Sequence, residues 1–279
     1  MDNFLPGLYI VSTPIGNLED ITLRALNVLK YSDQILCEDT RRSLKLLNHY
    51  GIKKKLISNH KFNEKKILQS TIDFIQSGKS VSIISDAGTP VLSDPGLILV
   101  KECIKKKINI FPIPGASAIT TAMSVSGFDE RYFFYGFLPK KEKEIQKVFD
   151  ELKEYNFNIV FFIPAVKINF YIKYFKKFFK QRNIFIGREM TKIHETFYRG
   201  SLDSFNELER SMKGEITVIL SKRKSTNIKE NVFNREDLKI EIKKYLKRYT
   251  LKDVVKLISE KNNLPRKKVY DLCLNIKKK

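Results

Sequence analysis

VSIISDAGTPVLSDPG, residues 81–96, passes directly from a β-branched apolar run into a loop with two aspartates, two glycines and two prolines in its last twelve residues. Val81 to Ser85 predicts a strand. Ser85 to Gly96 is too long and too rich in turn formers for a two-residue connection, so it predicts a shaped loop that presents backbone groups to a ligand. The pattern is neither GxGxxG nor a phosphate loop ending in GK[ST], so it implies neither a dinucleotide nor a nucleoside triphosphate.

The same strand, loop and helix alternation runs through the first half of the chain. Strands are predicted at Leu8 to Thr13, Gln34 to Glu38 and Asn109 to Pro112, with helical spacing at Thr22 to Lys30, Ser43 to Tyr50, Glu64 to Ser77 and Leu97 to Lys106. That alternation predicts an α/β layer architecture whose strands are largely parallel, with the loops at their C-terminal ends forming the functional edge. Tyr132 to Pro139 (YFFYGFLP), followed by a charged helix at Lys140 to Lys153, reads as a domain junction. A second α/β set follows, with strands at Asn158 to Phe162, Asn183 to Arg188, Glu195 to Arg199 and Glu215 to Leu220, and helices at Lys167 to Phe179 and Ser201 to Met212. Ser221 to Asn234 reads as a polar linker. Three short helices are then expected at Glu236 to Tyr249, Leu251 to Lys261 and Arg266 to Ile276. The expected organisation is therefore 1–131, 132–222 and 223–279. The basic tail suits RNA, or it is a solvated helical cap.

Composition narrows the function classes. The 279 residues, 42% of them hydrophobic, suffice for two ordinary cores. No apolar run approaches the roughly 20 residues that cross a bilayer, and the start lacks a signal-peptide pattern, so a cytoplasmic protein is expected. Cys37, Cys103 and Cys273 lie far apart without metal-ligand spacing, and His49, His60 and His194 are scattered, so neither disulfides nor a metal is expected. Lysine and arginine exceed aspartate and glutamate by 52 to 31, a formal charge of +21. Such an excess attracts a polyanion, although codon bias toward lysine produces the same composition.

Three more strand ends carry unusual loops. Ser12 to Asp20 (STPIGNLED) either lets a ligand approach the backbone or is an ordinary tight turn. Glu38 to Arg42 (EDTRR) sets two acids before two arginines: beside a cleft it can grip a phosphate and a hydroxyl, and otherwise it is a helix N-terminus with surface ion pairs. Pro112 to Ala118 (PIPGASA) enters a helix of small residues that admits close backbone approach.

In order along the chain, TPIGNLEDIT (13–22), EDTRR (38–42), ISDAGTPVLSDPG (84–96), PIPGASA (112–118), REMTKIHET (188–196) and KGE (213–215) resemble the ribosomal RNA small subunit methyltransferase I family. This family falls within the tetrapyrrole-methylase-like, class III S-adenosylmethionine enzymes. The basic C-terminal stretch is similar to that family's helical tail.

The resemblance implies two α/β domains with S-adenosylmethionine folded into the cleft between them, and a small C-terminal helical segment. It places Asp86, Ala87, Gly88, Thr89 and Pro90 around the methionine and ribose of the cofactor. Pro114, Gly115, Ser117 and Ala118 lie along the same pocket, Pro14 and Gly16 form its floor, and Phe162, Arg188 and Glu189 close it from the second domain. The implied reaction is 2′-O-methylation of a cytidine in the decoding centre of 16S ribosomal RNA, by an enzyme expected to be a homodimer. Glu38 and Asp39 rank first as proton acceptors, followed by Glu189, with Lys192 and Glu195 further candidates, and Arg41 would neutralise a neighbouring phosphate. The chain departs from the family where a motif like FYE(S/A)PHR is usual: residues 161–167 read FFIPAVK. Two other readings fit parts of the pattern, a methylase of cobalamin or sirohaem precursors and a non-catalytic ribosome assembly factor.

Overall fold

The computed structural model describes residues 4–209, 212–223, 235–262 and 265–277. The chain forms two compact units, Met1–Lys224 and Ser225–Lys279. Residues 224–234, the greater part of the expected linker, lie outside the described residues.

The first unit begins with β1 (Gly7–Val11), α1 (Leu23–Tyr31), β2 (Gln34–Cys37), α2 (Thr40–His49) and β3 (Leu56–Ser58). It continues with α3 (Glu64–Gln76), β4 (Ser80–Ile84), α4 (Leu97–Lys105), β5 (Ile110–Ile113) and α5 (Ala118–Ser126). The five strands form one parallel sheet in the order β3-β2-β4-β1-β5. Alternation along the strands divides the core between its two faces. Tyr9, Val11 and Ile35 pack with Ala25, Val28 and Leu29 of α1, whereas Leu8, Leu36, Val81 and Ile83 pack with Ile72 of α3 and Leu99 and Cys103 of α4. β4, buried at all five positions, lies between β2 and β1.

The second sheet contains β6 (Tyr132–Phe137), β7 (Asn158–Pro164), β8 (Asn183–Arg188), β9 (Thr196–Ser201) and β10 (Glu215–Leu220), with α6 (Glu142–Leu152) and α7 (Ile168–Phe178) between strands. Its order is β6-β7-β10-β8-β9, and only β6 and β7 run parallel. The aromatic stretch from Tyr132 opens the second sheet as an edge strand, β6. Leu56–Ser58 had no clear strand signal because it is a three-residue, half-buried edge. α5 joins the sheets: its small residues let Ile119 and Ala122 pack with Val160, Phe185 and Ile219 of the second sheet.

One expected helix does not form among its described residues, 201–209 and 212. Ser201 to Met212 has apolar residues at helical spacing, yet the chain makes a single 3-10 turn at Leu202–Ser204. The Asn169 side-chain amide then takes both backbone polar groups of Leu208, donating to its oxygen at 2.7 Å and accepting from its nitrogen at 2.8 Å. Those groups are thereby removed from any helical ladder.

In the second unit α8 (Arg235–Leu246), α9 (Leu251–Asn262) and α10 (Arg266–Lys277) close around Ile242, Val254, Ile258, Val269 and Cys273. Thr250 starts α9 by accepting from the Asp253 amide at 3.3 Å and donating to its carboxylate at 2.6 Å. The three cysteines are free and buried. Among the described residues no helix is long and apolar enough to cross a membrane.

The phenylalanine core of the second sheet is closed by a buried arginine. Phe149, Phe161, Phe175 and Phe179 form one cluster, and the Arg182 guanidinium lies 5.5 Å from the Phe179 ring centre. Arg182 donates to the carbonyls of Phe157 (2.9 Å), Ser221 (2.8 Å) and Tyr155. Burial and the charge of Arg223 bring its pKa down to about 10, so it remains charged at neutral pH. Replacement by methionine fills the volume but strips donors from three carbonyls. Arg182→Met is expected to cost about 3 kcal/mol in urea unfolding with the slope unchanged. A change below about 0.5 kcal/mol, the range of ordinary surface substitutions, would show that water replaces those donors freely.

Candidate functional site

In the order β3-β2-β4-β1-β5 the chain leaves β1 toward one edge and β4 toward the other, so a crevice opens between the C-terminal ends of these neighbours. The loops after β1 and β4 meet there. Thr13 and Gly88 exchange backbone hydrogen bonds of 2.9 and 3.0 Å in an isolated bridge, and the Thr13 hydroxyl donates to the Ser85 carbonyl at 3.2 Å. The hydroxyls of Ser12 and Thr89 lie 3.0 Å apart, and Thr89 reaches the Ala116 carbonyl at 3.4 Å, which brings in the loop after β5. Gly115 is required at this junction, since a Cβ there would meet the Ser12 Cβ at 2.9 Å.

The 85–96 loop turns sharply within itself. Gly88 has φ +75°, and Val91 and Ser93 adopt the left-handed region at φ 74° and 71°. For a β-branched residue such as Val91 this conformation is unfavourable and must be held by its surroundings.

From the second sheet, the turn after β8 packs on the loop after β1. The Asn17 amide donates to Thr191 Oγ1 at 3.0 Å, and Gly16 lies so close to Met190, Thr191 and Lys192 that no side chain fits. Between these loops lies a cavity of about 460 Å³.

Of the expected site residues, Glu38, Asp86, Ala87, Gly88, Thr89, Ser117, Ala118, Phe162 and Glu189 line that cavity. Pro14, Gly16, Pro90, Pro114 and Gly115 are not on its wall and belong to the loops that form it. Arg188 is also off the wall, its Nε donating to the Lys213 carbonyl at 3.0 Å. Asp39 and Arg41 form an exposed pair instead of facing the cavity. Asp39 caps α2 through the Arg41 amide at 2.9 Å, and its two oxygens take the Arg41 guanidinium at 3.1 and 2.6 Å. These bonds hold the Asp39 carboxyl well below the usual carboxylate range. It is the next residue, Arg42, that reaches the wall, 3.3 Å from Asp86.

Five carboxylates line the cavity, Glu38, Asp86, Asp94, Glu189 and Glu215. Burial raises the pKa of Glu38, the Asp86 charge adds to this, and Arg42 and His60 oppose it. Asp94 is pushed up to about 6, first by burial and then by Glu38, with Asp86 and Glu215 adding and a hydrogen bond with Ser85 opposing. Among the described residues no group of three or more His, Cys, Asp or Glu has metal-binding geometry.

Glu189 behaves differently. Burial works against its charge, but the Glu215 amide at 3.0 Å and Lys192 Nζ at 3.0 Å outweigh it and lower its pKa. Its carboxylate fills the space where Gly214 lacks a side chain. Asp94 and Phe137 are wall residues that motif reading passed over, and the available signal was the second aspartate of the 85–96 loop.

Residues 7–206 match the family described as Tetrapyrrole (Corrin/Porphyrin) Methylases. A protein of Thermotoga maritima named ribosomal RNA small subunit methyltransferase I is 46% identical over 217 residues, 77% of this chain and 97% of that one. The chain belongs to the ribosomal RNA small subunit methyltransferase I family. A family member from Buchnera aphidicola is 37% identical over 98% of this chain and 99% of its own, an alignment that takes in the second unit as well. Outside this family, a crystal structure of diphthine synthase aligns with TM-score 0.61 at 13% identity, covering 77% of this chain and 89% of that one, a likeness of fold alone. The family places the chain among methyltransferases.

The contact between Gly115 and Ser12 gives a direct test of the loop junction. Gly115→Ala is expected to lower stability by about 1–3 kcal/mol in thermal unfolding through overpacking. Adding Ser12→Gly removes the opposing Cβ and should restore most of the loss; a double variant no more stable than Gly115→Ala would locate the cost elsewhere.

Proposed function

We propose that the chain transfers a methyl group from S-adenosylmethionine to the ribose 2′-hydroxyl of a cytidine in the decoding centre of 16S ribosomal RNA, acting in the cytoplasm as a homodimer. The observation that carries this reading is a half-buried pair of carboxylates, Glu38 and Asp94, in a cavity whose surrounding chain has the sequence of an RNA methyltransferase family.

The cavity suits the cofactor in size and in chemistry. Ile15, Phe162, Met190 and Ile216 offer apolar surface for an adenine, while Glu38, Asp86 and Asp94 offer negative charge for a sulfonium and an ammonium. Gly88 and Thr89 bring backbone and hydroxyl groups to the same wall. When bound, S-adenosylmethionine supplies an electrophilic methyl group.

The chain's own residues do the rest. A ribose hydroxyl is a weak acid, so the site must hold it in line and take its proton as the new bond forms. Asp94 accepts that proton, and Glu38 beside it keeps Asp94's affinity for a proton high. Asp39, ranked with Glu38 by its loop, serves as the cap of α2. Glu189, tied to Lys192 and the Glu215 amide, positions the turn that packs against Gly16. Arg42 fixes Asp86, and the basic second unit adds affinity for RNA.

A second reading, a ribosome assembly factor without catalysis, draws on the altered FFIPAVK segment, whose Phe162, Ile163 and Pro164 lie on the cavity wall. Methyl transfer separates the two. Labelled cofactor incubated with small subunits from cells lacking this protein is expected to yield 2′-O-methylcytidine on nucleoside analysis. Cofactor binding without transfer would favour the assembly factor.

The acceptor role fixes a pH profile. The rate should rise with pH through a limb near 6, where Asp94 loses its proton. Asp94→Asn should remove the limb and lower kcat by about 10²–10⁴-fold. Glu38→Gln should move the limb to lower pH. A limb unmoved by either substitution would assign the proton to water.

Stability gives an independent check. A carboxyl whose folded pKa is raised contributes stability below its unfolded value and loses it as pH rises through the folded value. Asp94→Asn should therefore be more heat-stable than the parent above pH 6 and should lose that advantage in acid. An advantage that did not change with pH would contradict the burial of that charge.

A further inference from the structure

The cavity mouth carries large apolar side chains that the fold does not use. Phe62, between β3 and α3, is 93% exposed; Val166, after β7, is 74% exposed; Ile193, in the turn before β9, is 97% exposed. Leu92 and Phe137 are also exposed and stand on the cavity wall itself. Single exposed apolar residues are ordinary on any surface. Leu92 and Phe137 border the opening, and Phe62, Val166 and Ile193 belong to loops beside it.

Their placement follows from neighbours on the wall. Ile193 directly follows Lys192, and Val166 is two residues past Pro164. The loop of Phe62 is fixed beside the site on two sides. Its His60 ring lies 6.1 Å from the Phe62 ring and acts electrostatically on Glu38, and Glu64 accepts from the Gly96 amide at 3.2 Å, at the end of the 85–96 loop. Arg42 on the wall and Arg41 beside it in the chain have exposed guanidinium groups, each holding more N–H donors than its one carboxylate partner occupies.

Resting on the methyl-transfer reading, we propose that this ring receives an unpaired RNA strand, with the target nucleotide turned out of its stack into the cavity. The bases on and beside the target pack on Phe62, Phe137 and Ile193, and Arg41 and Arg42 hold flanking phosphates. The acceptor carboxylates are half-buried in a cavity between two sheets, which a nucleotide turned out of its stack can enter and a duplex is too wide to enter. Flat aromatic faces beside cations are the chemistry that takes bases without reading their edges. The exposed guanidinium groups of Arg41 and Arg42 favour an anionic strand here over an apolar protein partner.

The test uses the full chain and its Phe62→Ser/Ile193→Ser variant, whose substitutions are on the surface and should leave folding intact. The probes are a 20-nucleotide unpaired RNA carrying one fluorescent cytidine analogue and the same strand in a duplex, both at fixed salt. The parent should bind the unpaired strand at least about tenfold more tightly than the duplex, with a change in analogue fluorescence. The variant should lose about tenfold for the unpaired strand and nothing for the duplex, with S-adenosylmethionine binding and sedimentation unchanged. Equal binding of the two RNAs, or a variant that binds the unpaired strand as the parent does, overturns the proposal. So does a variant that has lost self-association, because a second copy then covers the ring.

Methyl transfer to small subunits is measured on the same samples. Binding of cofactor and unpaired RNA without transfer would sink the methyl-transfer reading and leave the ring standing. Transfer without preference for unpaired RNA would sink the ring alone.

Discussion

The adjacency of β1 and β4 governs the rest of the first unit. Two parallel neighbours whose chains depart in opposite directions leave a gap at their C-terminal ends that no crossover helix fills. In this protein the gap is spanned by the reciprocal bonds between Thr13 and Gly88 and by the hydroxyl contacts of Ser12, Thr13 and Thr89. These bonds satisfy backbone groups that would otherwise be stranded at a sheet edge, and they also fix where the cavity wall lies. The second sheet then needs only to meet a rigid rim. It does so with small residues, through Gly16 against the 190–192 turn and α5 against β10.

Charge is partitioned in a way that composition hides. A chain with 21 more basic than acidic residues sets five carboxylates around a single cavity. Long-range attraction depends on the net charge and its distribution over the surface, whereas proton affinity depends on burial and near neighbours. The two demands are therefore separable. The exposed lysines and arginines set the first, and Glu38, Asp86 and Asp94 set the second within a volume too small to alter the first.

Most of the first sheet was legible because each buried strand ends in a loop of unusual composition, and the α/β alternation gave its parallel order. The second sheet was less so, since an antiparallel arrangement lacks that alternation and Tyr132–Phe137 reads as an aromatic junction until its pairing with β7 is known. The EDTRR motif shows the limit most clearly. Its residue types fit both a phosphate grip and a capped helix, and α2 uses them for both: Asp39 and Arg41 cap and pair on the surface, while Glu38 and Arg42 reach the cavity. The start of α2 divides them: Glu38 precedes the cap at the end of β2, Asp39 is the cap, and Arg41 and Arg42 take different directions in the first turn. Asp94 was obscured for a related reason, because two left-handed residues at 91 and 93 decide which way it points. Local propensity does not forecast such turns.

The conformations that propensity disfavours are concentrated around the cavity. Of the six non-glycine residues with positive φ among the described residues, Val91, Ser93, Glu189 and Thr191 lie in the two loops that form its wall. Each costs on the order of 1–3 kcal/mol unless its neighbours compensate, and a half-buried carboxyl held near pKa 6 adds to the sum at neutral pH. A site relaxed by replacing these residues would gain stability and lose shape. The well-packed phenylalanine cluster of the second sheet and the doubly covered parallel sheet of the first carry no such strain, and their surplus is what allows the loops between them to stay in it. Stability and site geometry are thus assigned to different parts of one unit, so the substitutions that weaken the protein and those that disable it should fall on separate residues.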